Sequence, residues 1–351
     1  MLAPYLHILP LATIVRERLL PVTGTVTARL NQKVSPTDVI AEATWSREHV
    51  LMDVASALRL PVSAADRLLR CKVGDMLAPG ALVAVGPGLF PKSIKTLKEG
   101  RVVAAGGGQV LLETGETSLQ LRAGMPGTVV QIIPDRGVVI QMAGALIQGV
   151  WGNGRMDTGM MVNLAEKPDG ILSAARLDVS LRGSIILGGI CKDAEALQAA
   201  GEVAVRGLIL SSLFPSLLPQ ASQMRFPIVV TDGFGALPMN SAAYRLLSTN
   251  AKREVTLNAE AYNRYQGARP EVIISLPVSQ EPPLPREVEA FAPGQTVHIR
   301  RPPALGAIGT LVSLRPGQTL LTSGLRVPAA VVKMETGKTV IVPLVNMEVV
   351  G

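Results

Sequence analysis

The sequence predicts a mixed, β-rich multidomain protein of the α+β class, with barrel-type β regions flanking a small parallel α/β domain. Three observations carry that expectation. The chain has 351 residues, 48% of them hydrophobic and 17% charged, which is more than one core usually holds and far from a disordered composition. Its 34 Gly and 26 Pro suit short strands and tight turns better than long helices. With only 2 Trp, 4 Tyr and 5 Phe, the cores must be built from Val, Ile, Leu, Ala and Met.

Residues 1–165 read as β. Gly24-Thr25-Val26 opens an alternating phrase that turns at Ser35-Pro36-Thr37-Asp38 and resumes as Val39-Ile40-Ala41. A similar phrase returns from Leu69 to Ala84, with Val73-Gly74-Asp75 and Pro79-Gly80-Ala81 at its turns. Each reads as strand, turn and second strand. Between them Val50–Leu58 and Ser63–Leu69 read as short helices, with Asp53, Ser63 and Asp66 as candidate caps. Strands are expected at 101–105, 109–113, 127–133 and 137–141, the last two joined at Pro134-Asp135-Arg136-Gly137. These two phrases resemble the barrel-sandwich-hybrid fold of biotinyl and lipoyl carrier domains and of secretion adaptors. Asn31 and Thr37 stand where that family prefers Gly. The Met-Lys-Met or Asp-Lys-Ala frame that carries a prosthetic group in the family is absent around Lys92, Lys95 and Lys98, so no cofactor is expected.

Residues 166–276 change period. Ser184–Leu187, Gly207–Leu210 and Phe226–Val230 read as parallel strands, separated by an Ala-rich helix from Asp193 to Val205 and a short one from Pro215 to Met224. A further helix is expected from Asn240 to Leu247, and strands Glu254–Leu257 and Glu271–Leu276 extend the sheet. This stretch resembles swivelling β/β/α and protease-associated domains. It carries no His between His49 and His298, which excludes phosphohistidine transfer.

Residues 277–293 hold five Pro and read as a semi-rigid, protease-sensitive linker. Residues 294–351 then read as a small barrel, with strands at 296–300, 307–314, 329–334 and 339–342 and a turn at Gly337. Val297 and Ile299 point inward there, His298 and Arg300 outward. Val297-His298-Ile299-Arg300, Gly306-Ala307-Ile308-Gly309 and the closing Thr339–Glu348 phrase resemble a KOW motif in an SH3-like barrel. That resemblance implies nucleic-acid contact, with Pro302 and Pro303 lengthening the first loop beyond the family pattern.

Chemical motifs are few. Cys71 and Cys191 are too far apart for a CxxC pair, and His7, His49 and His298 are too scattered for a metal helix, so no metal is expected. No G-x-S-x-G elbow occurs, and no catalytic residue is assigned. The run Trp151–Gly159 could form an anion-binding nest or a plain loop leaving a sheet. Open α/β sheets bind ligands beyond the carboxyl ends of their strands. The candidate ligand-binding residues are therefore Gly188, Gly189, Ser211, Ser212, Asp232 and Gly233, with ordinary turn and cap roles as the alternative. The net charge is +7, and residues 291–351 hold six basic side chains against two acidic ones. Arg300, Arg301 and Arg315 are the candidate phosphate contacts. No apolar run is long enough to span a membrane, and the first fifteen residues lack a signal-peptide pattern, so a cytoplasmic protein is expected. The expected function is a non-catalytic scaffold with a protein partner. Nucleic-acid binding by the KOW-like barrel is the alternative, and an enzyme using the Ser211 and Asp232 loops comes third.

Overall fold

Gly137–Gln148 is the seam of the molecule. One edge of this strand pairs antiparallel with Ile8–Leu19 along nearly its whole length. The other edge pairs with Gly127–Ile133 over its first half and with Glu271–Ser275 over its second. Its residues are almost all buried, as a strand covered on both faces should be. The computed structural model that shows this describes residues 2–88, 91–263, 265, 267–286 and 289–351, the side chains of 45–47 and 116–117 excepted.

From the seam an eleven-stranded sheet runs through Glu271–Ser275, Glu254–Asn258 and Met156–Asn163 into the parallel strands Ile185–Cys191, Gly207–Leu213 and Ile228–Phe234. The expected boundary between residues 165 and 166 falls inside this sheet, because Met161–Asn163 hydrogen-bonds to Ile185–Leu187. The parallel strands read as continuous apolar runs because helices and loops cover both faces. One side holds Ile209, Val229 and the helix Ser241–Thr249, the other Leu208, Val230 and the helix Ala194–Val203. Each parallel strand runs three or four residues beyond its expected end, so Gly188, Gly189, Ser211, Ser212, Asp232 and Gly233 lie within strands. Val50–Asp53 is likewise strand, with only Val54–Leu58 helical behind an Asp53 cap that accepts from the Ser56 amide.

One turn recurs three times. In Arg29–Gln32, Lys72–Asp75 and Ala292–Gln295 the fourth side chain accepts a hydrogen bond of 2.8 Å from the first residue's amide. The third residue takes positive φ, at 63° for Asn31, 98° for Gly74 and 91° for Gly294. Asn tolerates this left-handed conformation better than other residues with a side chain, which explains how Asn31 replaces the glycine. Each turn also exchanges two backbone hydrogen bonds with one residue of a later strand, namely Val129, Val102 and Leu311. Residues 29–38 and 72–81 thus match at a constant offset of 43, since a second turn follows in both, at Ser35–Asp38 and Ala78–Ala81.

Residues 294–351 form most of a six-stranded sheet in the order Tyr5–Leu6, Met347–Val350, Thr296–Ile299, Ile308–Leu314, Ala329–Met334 and Thr339–Pro343. The first of these comes from the other end of the sequence. Tyr5 and Leu6 pair parallel with Val349 and Val350, and Leu2–Ala3 pairs with Glu289–Ala290. Val297 and Ile299 point inward as expected, into the core cluster beneath this sheet. His298 is a correction: its face is buried too, because it packs against the parallel sheet and not against solvent.

Candidate functional site

A buried polar cluster lies where the six-stranded sheet meets the parallel sheet. Asp232, near the end of strand Ile228–Phe234, accepts hydrogen bonds on one oxygen from the backbone amide and side-chain amide of Asn240, at 3.1 and 2.9 Å. Its other oxygen accepts from the Thr231 hydroxyl at 2.6 Å. Asn240 in turn caps the helix Ser241–Thr249 by accepting from the Ala243 amide at 2.9 Å. The carboxylate therefore organises the strand-to-helix connection. Ser212 pins the same connection, donating to the Leu237 carbonyl at 2.9 Å and accepting from its amide at 3.0 Å.

From the barrel side, adjacent strands place His298 directly opposite Glu348. His298 Nδ1 lies 3.0 Å from Glu348 Oε1, and its Nε2 lies 3.8 Å from Asp232 Oδ1. Glu348 Oε2 also accepts from Arg269 at 3.1 Å and lies 3.7 Å from Arg300. The side chains of Asp232, His298, Glu348 and Arg269 are all at most 8% exposed. Burial pushes Asp232 above the usual carboxylate range, outweighing its bonds to Thr231 and Asn240 and the nearby imidazole. Burial acts upward on Glu348 too, but the His298 hydrogen bond and the charges of Arg269, His298 and Arg300 together hold it below that range. The ionised form of Glu348 is thereby favoured, with its two oxygens facing His298 Nδ1 and Arg269. His298 Nε2 and Ser211 Oγ are buried without a hydrogen-bond partner among the described residues.

An imidazole held on one nitrogen by a carboxylate can pass a proton from the other. Here both nitrogens face buried carboxylates between the two sheets, and two surface grooves lie elsewhere. One groove of about 320 Å³ runs between Tyr5, Leu9, Leu11 and the Pro283–Arg286 segment. A second of about 240 Å³ is lined by Thr13, Thr128, Gln141 and Val278–Glu281. Neither contains any of the expected site residues.

The fold brings Ser211, Ser212, Asp232 and Gly233 onto adjacent strands, as the sequence implied. Gly188 and Gly189 sit one strand further in and are buried. A Cβ on Gly189 would collide with the Gly170 carbonyl, so this glycine admits close backbone packing. In the Trp151–Gly159 run the amides are similarly used: Trp151–Gly152 pairs with Val229–Val230, and the Gly154 amide donates to Ala259. Arg300 and Arg301 stand at one end of the barrel, whereas Arg315 follows the far end of the seven-residue strand Ile308–Leu314. That is a separation of roughly 20 Å at about 3.3 Å per residue. His298 and Glu348 were not expected as site residues. A signal was present, since Glu348 is a lone acid inside the apolar run Met347–Val350. A second buried chain, in which Arg16 forks onto Glu271 at 2.6 and 3.1 Å and Gln148 donates to Glu271 at 3.1 Å, had none. Among the described residues no group of His, Cys, Asp or Glu is arranged to hold a metal ion. No helix of the described residues is long and apolar enough to cross a membrane. No family model and no curated protein matches the chain.

Proposed function

We propose that this protein is a non-catalytic, modular scaffold that binds a protein partner. The observation that carries this reading is the use made of the sheet-end residues. Ser212 and Asp232, the polar groups best placed to orient a ligand, are consumed by bonds to Leu237, Thr231 and Asn240 and are covered by the barrel. Catalysis at Ser211 or Asp232 would require the barrel to lift away, breaking the packing around His298 and Glu348. In this reading the β regions within 1–165 are barrel-sandwich-hybrid-like units, the parallel strands and helices within 166–276, which share a sheet with Met156–Asn163, a swivelling-like α/β unit, 277–293 a linker and 294–351 a KOW/SH3-like barrel. The shared turn at 29–32, 72–75 and 292–295 supports grouping the three β regions as related modules. The test is recovery of the tagged full chain at natural abundance after mild crosslinking, with native mass spectrometry of what accompanies it. The reading expects one protein at a fixed ratio to the chain. Recovery of the chain alone, carrying a bound small molecule, would overturn it in favour of the enzyme reading.

A further inference from the structure

The strands Val39–Asp53 and Gln109–Arg122 form a long antiparallel ribbon, and the chain between them folds onto a core of its own. That core comprises Val54, Ala65, Cys71, Val83, Val102, Val110 and Leu112 among others. Residues 54–108 carry eight Lys and Arg against three Asp and Glu, a balance of +5, while the rest of the chain has 26 against 24. Most of the protein's net charge of +7 therefore sits on this one unit. All eight basic side chains are exposed.

Their placement is uneven in a second way. Seven of the eight fall in 59–98, the helices, turns and hairpin that pack Ala65, Cys71 and Val83 against Val102, Val110 and Leu112 of the sheet. The two acids of that layer are engaged internally: Asp66 accepts from the Gly108 amide at 2.7 Å, and Asp75 from the Lys72 amide at 2.8 Å. Lys92 reaches the Ala57 carbonyl and Lys98 pairs with Glu48. Arg59, Arg67, Arg70, Lys72 and Lys95 make no ion pair with any described residue. The Arg70 amide donates to Val83, and Leu82 pairs with Lys95, so Arg70 and Lys95 flank one strand. Strands stand about 4.8 Å apart, which puts their backbones about 10 Å from each other, close to one screening length at ordinary salt. Charges so spaced sum to a common field.

We infer that the outer layer of this unit is a binding surface for a nucleic-acid backbone. The chemistry separates this from other polyanions. A protein interface is enriched in aromatics and depleted of Lys, but four of these seven cations are Lys, and Phe90, outside the described residues, is the only aromatic in 54–108. A membrane-surface helix needs a long amphipathic face, and the two helices here have five residues each. Phosphate contact by flexible, unpaired Lys and Arg requires neither, and without stacking aromatics it tolerates any sequence.

The test is fluorescence anisotropy of a labelled mixed-sequence DNA duplex titrated with the full chain at about 50 and about 200 mM salt, the range over which phosphate contacts are lost. Two variants accompany the parent. One carries Arg67→Gln, Arg70→Gln, Lys72→Gln and Lys95→Gln, all exposed positions, and its fold is verified by thermal melting. The other carries Arg301→Gln and Arg315→Gln in the barrel. The expected result is duplex binding whose logarithmic salt slope falls by about 3.6 in the first variant, about 0.9 per lost contact, and is unchanged in the second. Polyglutamate and anionic vesicles serve as competitors. No binding at the lower salt, loss in the barrel variant instead, or displacement by polyglutamate or vesicles more readily than by unlabelled duplex would each overturn the inference. The partner recovered in the crosslinking experiment is independent of these outcomes.

Discussion

Glu348 sits directly across adjacent strands from His298, 3.0 Å from its Nδ1, and the other nitrogen of that imidazole lies 3.8 Å from Asp232, so one ring joins the six-stranded sheet to the Asp232 corner of the parallel sheet. The guanidinium groups of Arg269 and Arg300 and the His298 imidazole converge on one fully buried carboxylate, so its removal takes the ion-pair partner from Arg269, which is itself buried. Glu348→Ala should cost about 3–5 kcal/mol, the range for breaking a buried pair from one side. Urea denaturation of the variant checks this. A loss below about 1 kcal/mol, the level of an exposed pair, would show that solvent reaches Arg269.

Asp232→Ala should destabilise by about 2–3 kcal/mol, because the Asn240 amides lose their acceptor in a buried setting and the Thr231 hydroxyl keeps only the longer bond to the Leu210 carbonyl. Asp232→Asn retains one acceptor oxygen and should lose less. A calorimetric melt that places the two variants together would mean the hydrogen bonds to Asn240 contribute little.

The two carboxylates respond to acid in opposite directions. Glu348 is held below its ordinary value, so its stabilisation is present above the unfolded-state pKa and is lost as pH falls through the folded-state value. Asp232 is pushed up, so the folded state binds the proton more tightly and stability declines as pH rises from the unfolded-state value through the folded one. Replacing Asp232 by Asn should therefore steepen the rise of stability with pH in the acid range, while Glu348→Gln should flatten it. Chemical denaturation between about pH 3 and 7, the span of carboxylate titration, measures both slopes.

Asn31 allows a test of the repeated turn. With φ at 63°, Asn31→Gly should change stability by less than about 0.5 kcal/mol, and Asn31→Ala should cost about 1–2 kcal/mol for a left-handed residue. Equal effects of the two would show that the turn relaxes to another conformation.

Burial pushes the Cys191 thiol up to about 11, and raises Cys71 as well. Neither should react with a thiol reagent at neutral pH in the folded state, and both should react once denaturant is added. A fast-reacting thiol in the native protein would mean local opening around one of them.

The sequence was legible wherever a local rule governs. The helix beginning near Asn240, the Gly337 turn and the strand Ala329–Met334 follow from residue type and alternation, as do the parallel strands from their apolar runs. Strand ends were less legible, because Gly188-Gly189 and Ser211-Ser212 read as breaks. Neighbouring strands supply the ladder bonds that carry those strands onward. Pairing across long separations had no local signature at all. Nothing in Tyr5-Leu6 points to Val349-Val350, and nothing near Arg16 points to Glu271. The His298 site was missed for the same reason, since alternation shows which side of a strand faces away from its own core but not what lies there.

The pairing of Tyr5 with Val349 also sets the order in which the protein can be made. Synthesis proceeds at about 5–20 residues per second, so the first-made strand of the barrel must wait roughly 17–70 s for its partner to leave the ribosome. Through that interval Leu6, which is fully buried in the finished fold, has no mate, and the adjoining Ile8–Leu19 strand can already pair with Gly137–Gln148. The nascent chain thus carries an open sheet edge until its last strand arrives. A ribosome stalled beyond the parallel strands but short of residue 347 would hold a nearly folded body with one strand exposed, a natural target for chaperones that recognise apolar β segments.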